Sequence, residues 1–179
     1  MQVLESDQLV LRGWTDGDVE FLLDLYGRWE VQRFIGRAPR VMADRSEAAD
    51  LLGYLQSLED PVHGIWAVQR RNTQQLVGVL LLKSIPASGE LTPLQPSGDT
   101  EIGWHFHPDH WGHGLATQAA STVLQYAFQS GLTKVVAAAY PANAASQRVA
   151  TRIGMTHEGQ TGHYYNATCE LFTATTKLP

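Results

Sequence analysis

Four of the seven histidines in this chain fall within nine positions, at His105, His107, His110 and His113, and Gly112 and Gly114 alternate with the last of them. Three chemistries use such residues: a metal site, proton transfer, or a glycine turn that holds a phosphate. Zinc needs three or four converging His, Cys or carboxylate ligands. If "TEIGWHFH" is a strand, its period of two puts Glu101, Gly103, His105 and His107 on one face and Ile102, Trp104 and Phe106 on the other. His105 and His107 then converge only with Glu101, while His110 and His113 lie on the glycine turn. No metal ligands are assigned. The histidines are read as hydrogen-bonding side chains, with proton transfer left open for His105 or His107.

The glycine turn has its own logic. Pro108 ends the strand, and Trp111-Gly112-His113-Gly114-Leu115-Ala116 leads directly into a helix. Glycines at alternate positions let the backbone approach a ligand without Cβ atoms in the way. The unpaired N–H groups of the first helical turn, with the positive end of the helix dipole, favour an anion. No Lys-Ser/Thr pair follows, so this is not the Walker loop, and the third glycine of the dinucleotide fingerprint is absent.

The surrounding elements must hold this turn. "LVLR" (9–12) reads as a strand, "DGDVEFLLDLYGRW" as a helix, and Ser46 precedes a second amphipathic helix carrying Leu51, Leu52, Leu55 and Leu58. "HGIWAVQRR" and "QLVGVLLLKSI" read as strands joined by a polar hairpin. Pro86–Asp99, with three prolines and two glycines, reads as a long loop. A helix runs from Leu115 to the glycine at 131. "KVVAAAY" has the continuous apolar character of a strand buried on both faces. A helix capped by Asn143 and closed by Gly154 follows, then strands "MTHEG" and "CELFTATT". The order implies an α/β (α+β) sandwich with a mixed sheet.

The chain has 179 residues, 44% of them hydrophobic and 17% charged, which suits one domain spanning 1–179. A net charge of -5 argues against nucleic acid as a partner and favours a cationic acceptor. "MQVLESD" has no basic stretch before an apolar run, and no run is long enough to span a bilayer, so no membrane partner is expected. A lone cysteine, Cys169, suits a reducing cytosol, and the expected location is cytoplasmic.

"EIGWHFHPDHWGHGLATQAA", "YPANAASQRVATRIGM" and the strand after "GHYYNATCELF" together resemble the GNAT (Gcn5-related) N-acetyltransferases. The likeness is greatest to the branch of Rim-type ribosomal-protein N-terminal acetyltransferases, which the opening "LESDQLVLRGWTDGDVEFLLDLY" also resembles. It covers nearly the whole chain. The resemblance implies a mostly antiparallel mixed sheet of about seven strands, splayed in a V after the fourth and flanked by helices. It implies acetyl-CoA as acyl donor, with no metal, and a primary amine as acceptor, either a protein N-terminus or a small molecule. A homodimer is left open.

Carried onto this sequence, the phosphate motif falls on Trp111, Gly114 and Ala116. Backbone amides along His113, Gly114, Leu115, Ala116 and Thr117, after the turn at Gly112, would hold the CoA pyrophosphate. Phe106 and His107 would pair their main chain with the pantetheine, which Asn143 and Ser146 would also contact. Trp111 replaces a long polar residue, Gln118 stands where a glutamate is common, and Ala150 replaces the tyrosine that protonates the leaving thiolate. The turn contains no Lys or Arg.

Direct attack needs a neutral amine. For a lysine-like amine of pKa about 10.4 this costs roughly 4.6 kcal/mol at neutral pH, and for an α-amine about 1 kcal/mol. Glu101 is the candidate base. Ser146, Tyr140, Tyr164 and water are candidates for thiolate protonation, and Tyr164 and Tyr165 for the wall of the acceptor cleft. A backbone amide near Phe106 would polarise the carbonyl. The alternative is a CoA-binding protein of this fold with weak or regulatory function. A metal-dependent hydrolase is the third class.

Overall fold

The computed structural model describes residues 1–176; residues 177–179, which the single-domain expectation also spans, lie outside the described residues. Eight strands form one sheet: β1 (Leu4–Glu5), β2 (Leu9–Arg12), β3 (Gly64–Arg70), β4 (Leu76–Pro86), β5 (Pro96–Phe106), β6 (Lys134–Ala139), β7 (Thr156–Thr161) and β8 (Cys169–Thr175). Their spatial order is β1-β2-β3-β4-β5-β6-β8-β7. All neighbours are antiparallel except β5 and β6. The mixed, mostly antiparallel sheet is as expected; the eighth strand is β1, two residues paired to β2 at Leu4 and Leu11, too short to carry any periodicity.

Strand alternation builds two cores. Trp66, Val68, Leu80, Leu82, Ile102 and Phe106 face one side, beneath helices α4 (Leu115–Gln129) and α5 (Ala144–Arg152). Ala67 and Val79 face the other, where α1 (Val19–Tyr26) and α3 (Arg45–Ser57) pack through Leu22, Leu25, Leu52 and Leu55. Alternate residues of the central strands thus serve opposite cores, and the helices on each side cover them from water. A four-residue helix, α2 (Trp29–Gln32), follows α1 and had no signal in the sequence. Among the described residues no helix is long and apolar enough to cross a membrane.

Two boundaries differ from the sequence reading. The expected loop Pro86–Asp99 shrinks to residues 87–95, because β4 extends to Pro86 and pairs it with Pro96 at the start of β5. The N-cap of α3 is Asp44, whose carboxylate accepts from the N–H groups of Ser46 and Glu47 at 2.8 and 3.1 Å. Asp44→Ala leaves both donors unpaired and is expected to lower stability by about 1 kcal/mol. Equilibrium urea unfolding reads this as a lower midpoint at unchanged slope.

The parallel pair is the functional seam. Its register is confined to Glu101 opposite Val136, so β5 and β6 part beyond that point toward the end of β5. Glycine turn, α4 and α5 gather at the resulting cleft.

Candidate functional site

The turn after β5 has the conformation its glycines suggested. Gly112 and Gly114 have φ of 80° and 75°, in the left-handed region, and a Cβ built on either meets nothing within 4 Å. Gly114 is the N-cap of α4 and supplies no side chain to it; the first helical bond runs from Gln118 N–H to Gly114 O at 3.0 Å. The N–H groups of Leu115, Ala116 and Thr117 therefore lie ahead of the ladder, at the positive end of a 15-residue helix. This is an open cradle with donors, fit for a phosphate.

The cradle opens onto a cleft of about 770 Å³. Among the residues expected to bind or react, Glu101, Phe106, Trp111, Gly112, Gly114, Leu115, Ala116, Thr117, Asn143 and Ser146 all line it. Asn143 caps α5 as expected, its Oδ1 accepting from Ser146 N–H at 3.1 Å. Arg148 and Arg152 of α5 also line the cleft, and Arg152 borders the neighbouring hollow beside Gly114 and Thr117. Sequence reasoning missed these cations because it looked for them within the turn.

The histidines go to separate partners. His105 Nδ1 lies 3.0 Å from the Tyr26 hydroxyl, and burial, with the Lys83 ammonium adding to it, lowers its pKa to about 4. It is neutral across the physiological range. His107 turns away from the cleft to Asp24, with Nε2 to Oδ2 at 3.1 Å. His110 is partly covered by its surroundings and His113 is exposed. Among the described residues no group of three or more His, Cys, Asp or Glu is placed to hold a metal ion.

His107 is also a correction at the main chain. Its N–H donates to Val77 O at 3.0 Å and its C=O accepts from His110 N–H at 2.9 Å, so it offers nothing to pair with a ligand. Amide directions alternate along a strand, which turns Phe106 the opposite way, into the seam between β5 and β6. There the Phe106 carbonyl already accepts from the Trp111 indole Nε1 at 2.7 Å, which leaves its N–H as the seam-facing donor.

Tyr164 is the second correction. Its hydroxyl donates to Asp99 Oδ2 at 2.7 Å, away from the cleft, and its pKa rises to about 12 through burial and that contact. Its neighbour Tyr165 enters the cleft and donates to Glu101 Oε2. Tyr140 is also committed, donating to Gly36 O at 2.7 Å and bridging the mouth of the cleft.

Glu101 is 7% exposed. Burial pushes its carboxyl above the usual range, against the pull of the Lys83 ammonium and the Tyr165 hydrogen bond. Lys83 stands directly opposite on β4, with its Nζ 5.5 Å from the centre of the Tyr165 ring. Tyr165 is itself held as a neutral phenol by burial and by the Glu101 charge. A carboxyl raised above its usual range, at the wall of a cleft beside a phosphate cradle, is placed to act as a proton acceptor. Cys169 also lines the cleft, but burial and then Glu101 raise its thiol, the opposite of an activated thiolate.

The acetyltransferase (GNAT) domain family matches residues 8–156. An uncharacterized N-acetyltransferase of Bacillus subtilis (strain 168), YoaA, is 30% identical over 164 residues, covering 90% of this chain and 87% of that one. A GNAT-family acetyltransferase structure from Bacillus anthracis superposes with a TM-score of 0.77 at 19% identity, covering 97% of this chain and 98% of the other. RimL, a ribosomal alpha-N-protein acetyltransferase solved in complex with coenzyme A, superposes with a TM-score of 0.76 at 18% identity, covering 97% and 98%. With its cradle, its splayed seam and a family match over most of its length, this chain belongs to the GNAT family and is an acetyltransferase.

Proposed function

We propose that the protein transfers an acetyl group from acetyl-CoA to a primary amine by direct attack within a ternary complex. The observation that carries this reading is the joining, in one cleft, of an uncapped helix N-terminus behind two left-handed glycines and a buried carboxyl with a raised pKa. Bound acetyl-CoA supplies an activated thioester. The amides of Leu115, Ala116 and Thr117 hold its pyrophosphate, with Arg148 and Arg152 at the same end, and Asn143 and Ser146 line the wall along its pantetheine arm. Phe106 N–H faces the seam, where it polarises the acyl carbonyl. Glu101 takes the amine proton at Oε1 while Tyr165 holds Oε2 in place. As the thioester C–S bond breaks, Ser146 Oγ passes its proton to the CoA sulfur and regains one from solvent. Cys169, its thiol held protonated, gives no nucleophile for a covalent intermediate.

Initial rates of CoA thiol release, with acetyl-CoA and amine both varied, test this reading. Release that requires the amine and gives intersecting reciprocal plots is expected. Parallel plots, or release indifferent to amine, would overturn it.

Tyr165→Phe gives a finer expectation. The hydroxyl donates to the charged form of Glu101 and lowers its pKa, so its removal raises that pKa further. The acid limb of kcat/KM should then move to higher pH, with activity recovering above it. An unmoved limb would show that another group titrates.

A further inference from the structure

The cations of this chain are sorted by place. Arg12, Arg28, Arg40, Arg45, Arg71 and Lys134 each pair with a carboxylate at 2.6 to 2.9 Å. Among the described residues, Arg33, Arg37, Arg70, Lys83, Arg148 and Arg152 have no carboxylate within 4.0 Å, and all but Arg70 line the cleft. A chain of net charge -5 thus leaves its unpaired cations almost wholly in one cavity. This wall carries charge opposite in sign to the net charge of the chain.

These cations fall into two groups. Arg148 and Arg152 stand on α5 at the cradle end. Lys83 stands opposite Glu101 on β4, and Arg33 and Arg37 flank Ile35, which packs against the core of the α1 and α3 face, in the stretch after α2. Gly36, between the two arginines, is tied by the Tyr140 hydroxyl to the far limb of the cleft. Arg33 lies over the Phe34 ring at 4.6 Å, a contact that holds its guanidinium without neutralising it. Lys83 does not close onto Glu101; its ammonium runs over the Tyr165 ring instead. The Glu30 carboxylate is the one acidic group of the same lining besides Glu101.

We infer that this half of the cleft is a subsite for an anionic group on the acceptor itself, so that the substrate class is a small amine carrying a carboxylate or phosphate. The inference rests on the amine-acetyltransferase reading above. Directly opposite residues of antiparallel strands have Cβ atoms about 5 Å apart. An amine at Glu101 and an anion at Lys83 therefore suit a molecule in which the two are separated by a few bonds, with Arg33 and Arg37 receiving the outer oxygens. Their forked donors match both carboxylate and phosphate.

The test is a comparison of kcat/KM within matched pairs: β-alanine against β-alaninamide, and 2-aminoethyl phosphate against ethanolamine, with spermidine as the cationic extreme. The acid of each pair is expected to exceed its neutral partner by about tenfold or more, roughly one charge-assisted contact. The better pair also tells whether carboxylate or phosphate is preferred. In the Arg33→Gln/Arg37→Gln protein, and separately in Lys83→Gln, the acid-to-neutral ratio should fall toward one, with acetyl-CoA affinity by calorimetry checking that the fold is retained. Neutral amines or spermidine acetylated as well as the acids would overturn the inference and leave the transferase reading standing. No transfer to any of these small amines would overturn the inference, and the transferase reading falls with it only if peptide N-termini also fail to release CoA thiol.

Discussion

Glu101→Gln is expected to lower kcat/KM by about 10²–10⁴-fold at neutral pH while acetyl-CoA still binds. The substitution keeps the side chain's size and its place against Tyr165 but removes the proton acceptor. Wild-type activity should fall as pH drops through the raised pKa of Glu101, since only the carboxylate works as base. The variant should lack that limb, and its deficit should narrow as pH rises toward the amine's own pKa, where more amine is already neutral. Stability separates this from a structural role. A carboxyl whose folded pKa is raised favours the native state while protonated, and costs stability as pH rises from the unfolded pKa through the folded one. At neutral pH the glutamine variant should therefore be at least as stable as wild type in urea. A deficit constant across pH would make Glu101 a positioning residue, and a wild-type rate at neutral pH would move the base to His105 or to water.

Gly114→Val should weaken acetyl-CoA binding tenfold or more, about 1.4 kcal/mol, measured by titration calorimetry on protein shown to be folded. The effect has two parts. Valine at a φ of 75° is strained, at about 1–3 kcal/mol, and relief of that strain reorients the first turn of α4. Its Cβ also projects into the open space of the cradle, where nothing of the protein lies within 4 Å and where the phosphate would sit. Gly13, outside the lining of the cleft, likewise has nothing within 4 Å of a built Cβ but no positive φ, so Gly13→Ala serves as the control. Normal acetyl-CoA affinity in a folded Gly114→Val protein would remove the cradle from the account.

The parts of the site legible in the sequence were those set by short-range rules. Glycines at alternate positions before an amphipathic run announced the cradle, and the period of two placed Glu101 and His105 on one face and Phe106 on the other. His107 escaped because its amide direction depends on the register with β4, through Val77, and no local pattern encodes that. Tyr164 and Tyr165 could not be told apart because they lie in a connection rather than a strand. Tyr165 and Asn166 take left-handed φ of 59° and 50°, and Asn166 is clasped to Gly89 and Ser88 across the 87–95 loop. That clasp, a tertiary contact, selects which hydroxyl reaches Glu101. The same cause shortened the loop: pairing between Pro86 and Pro96 overrode the breaker composition of the segment. Lys83 did leave a signal, as the single charge in the apolar strand "LVGVLLLKSI", though its meaning required the partner strand.

The central claim is that an acetyl group moves from CoA to an amine nitrogen at this cleft. It is tested most directly by mass spectrometry of the acceptor after incubation with isotopically labelled acetyl-CoA and wild-type protein, with Glu101→Gln and Gly114→Val alongside. The account predicts one labelled acetyl group on the amine nitrogen in step with thiol release, and a sharp reduction in both variants. Label recovered as free acetate, or fixed on the protein with none on the amine, would contradict it.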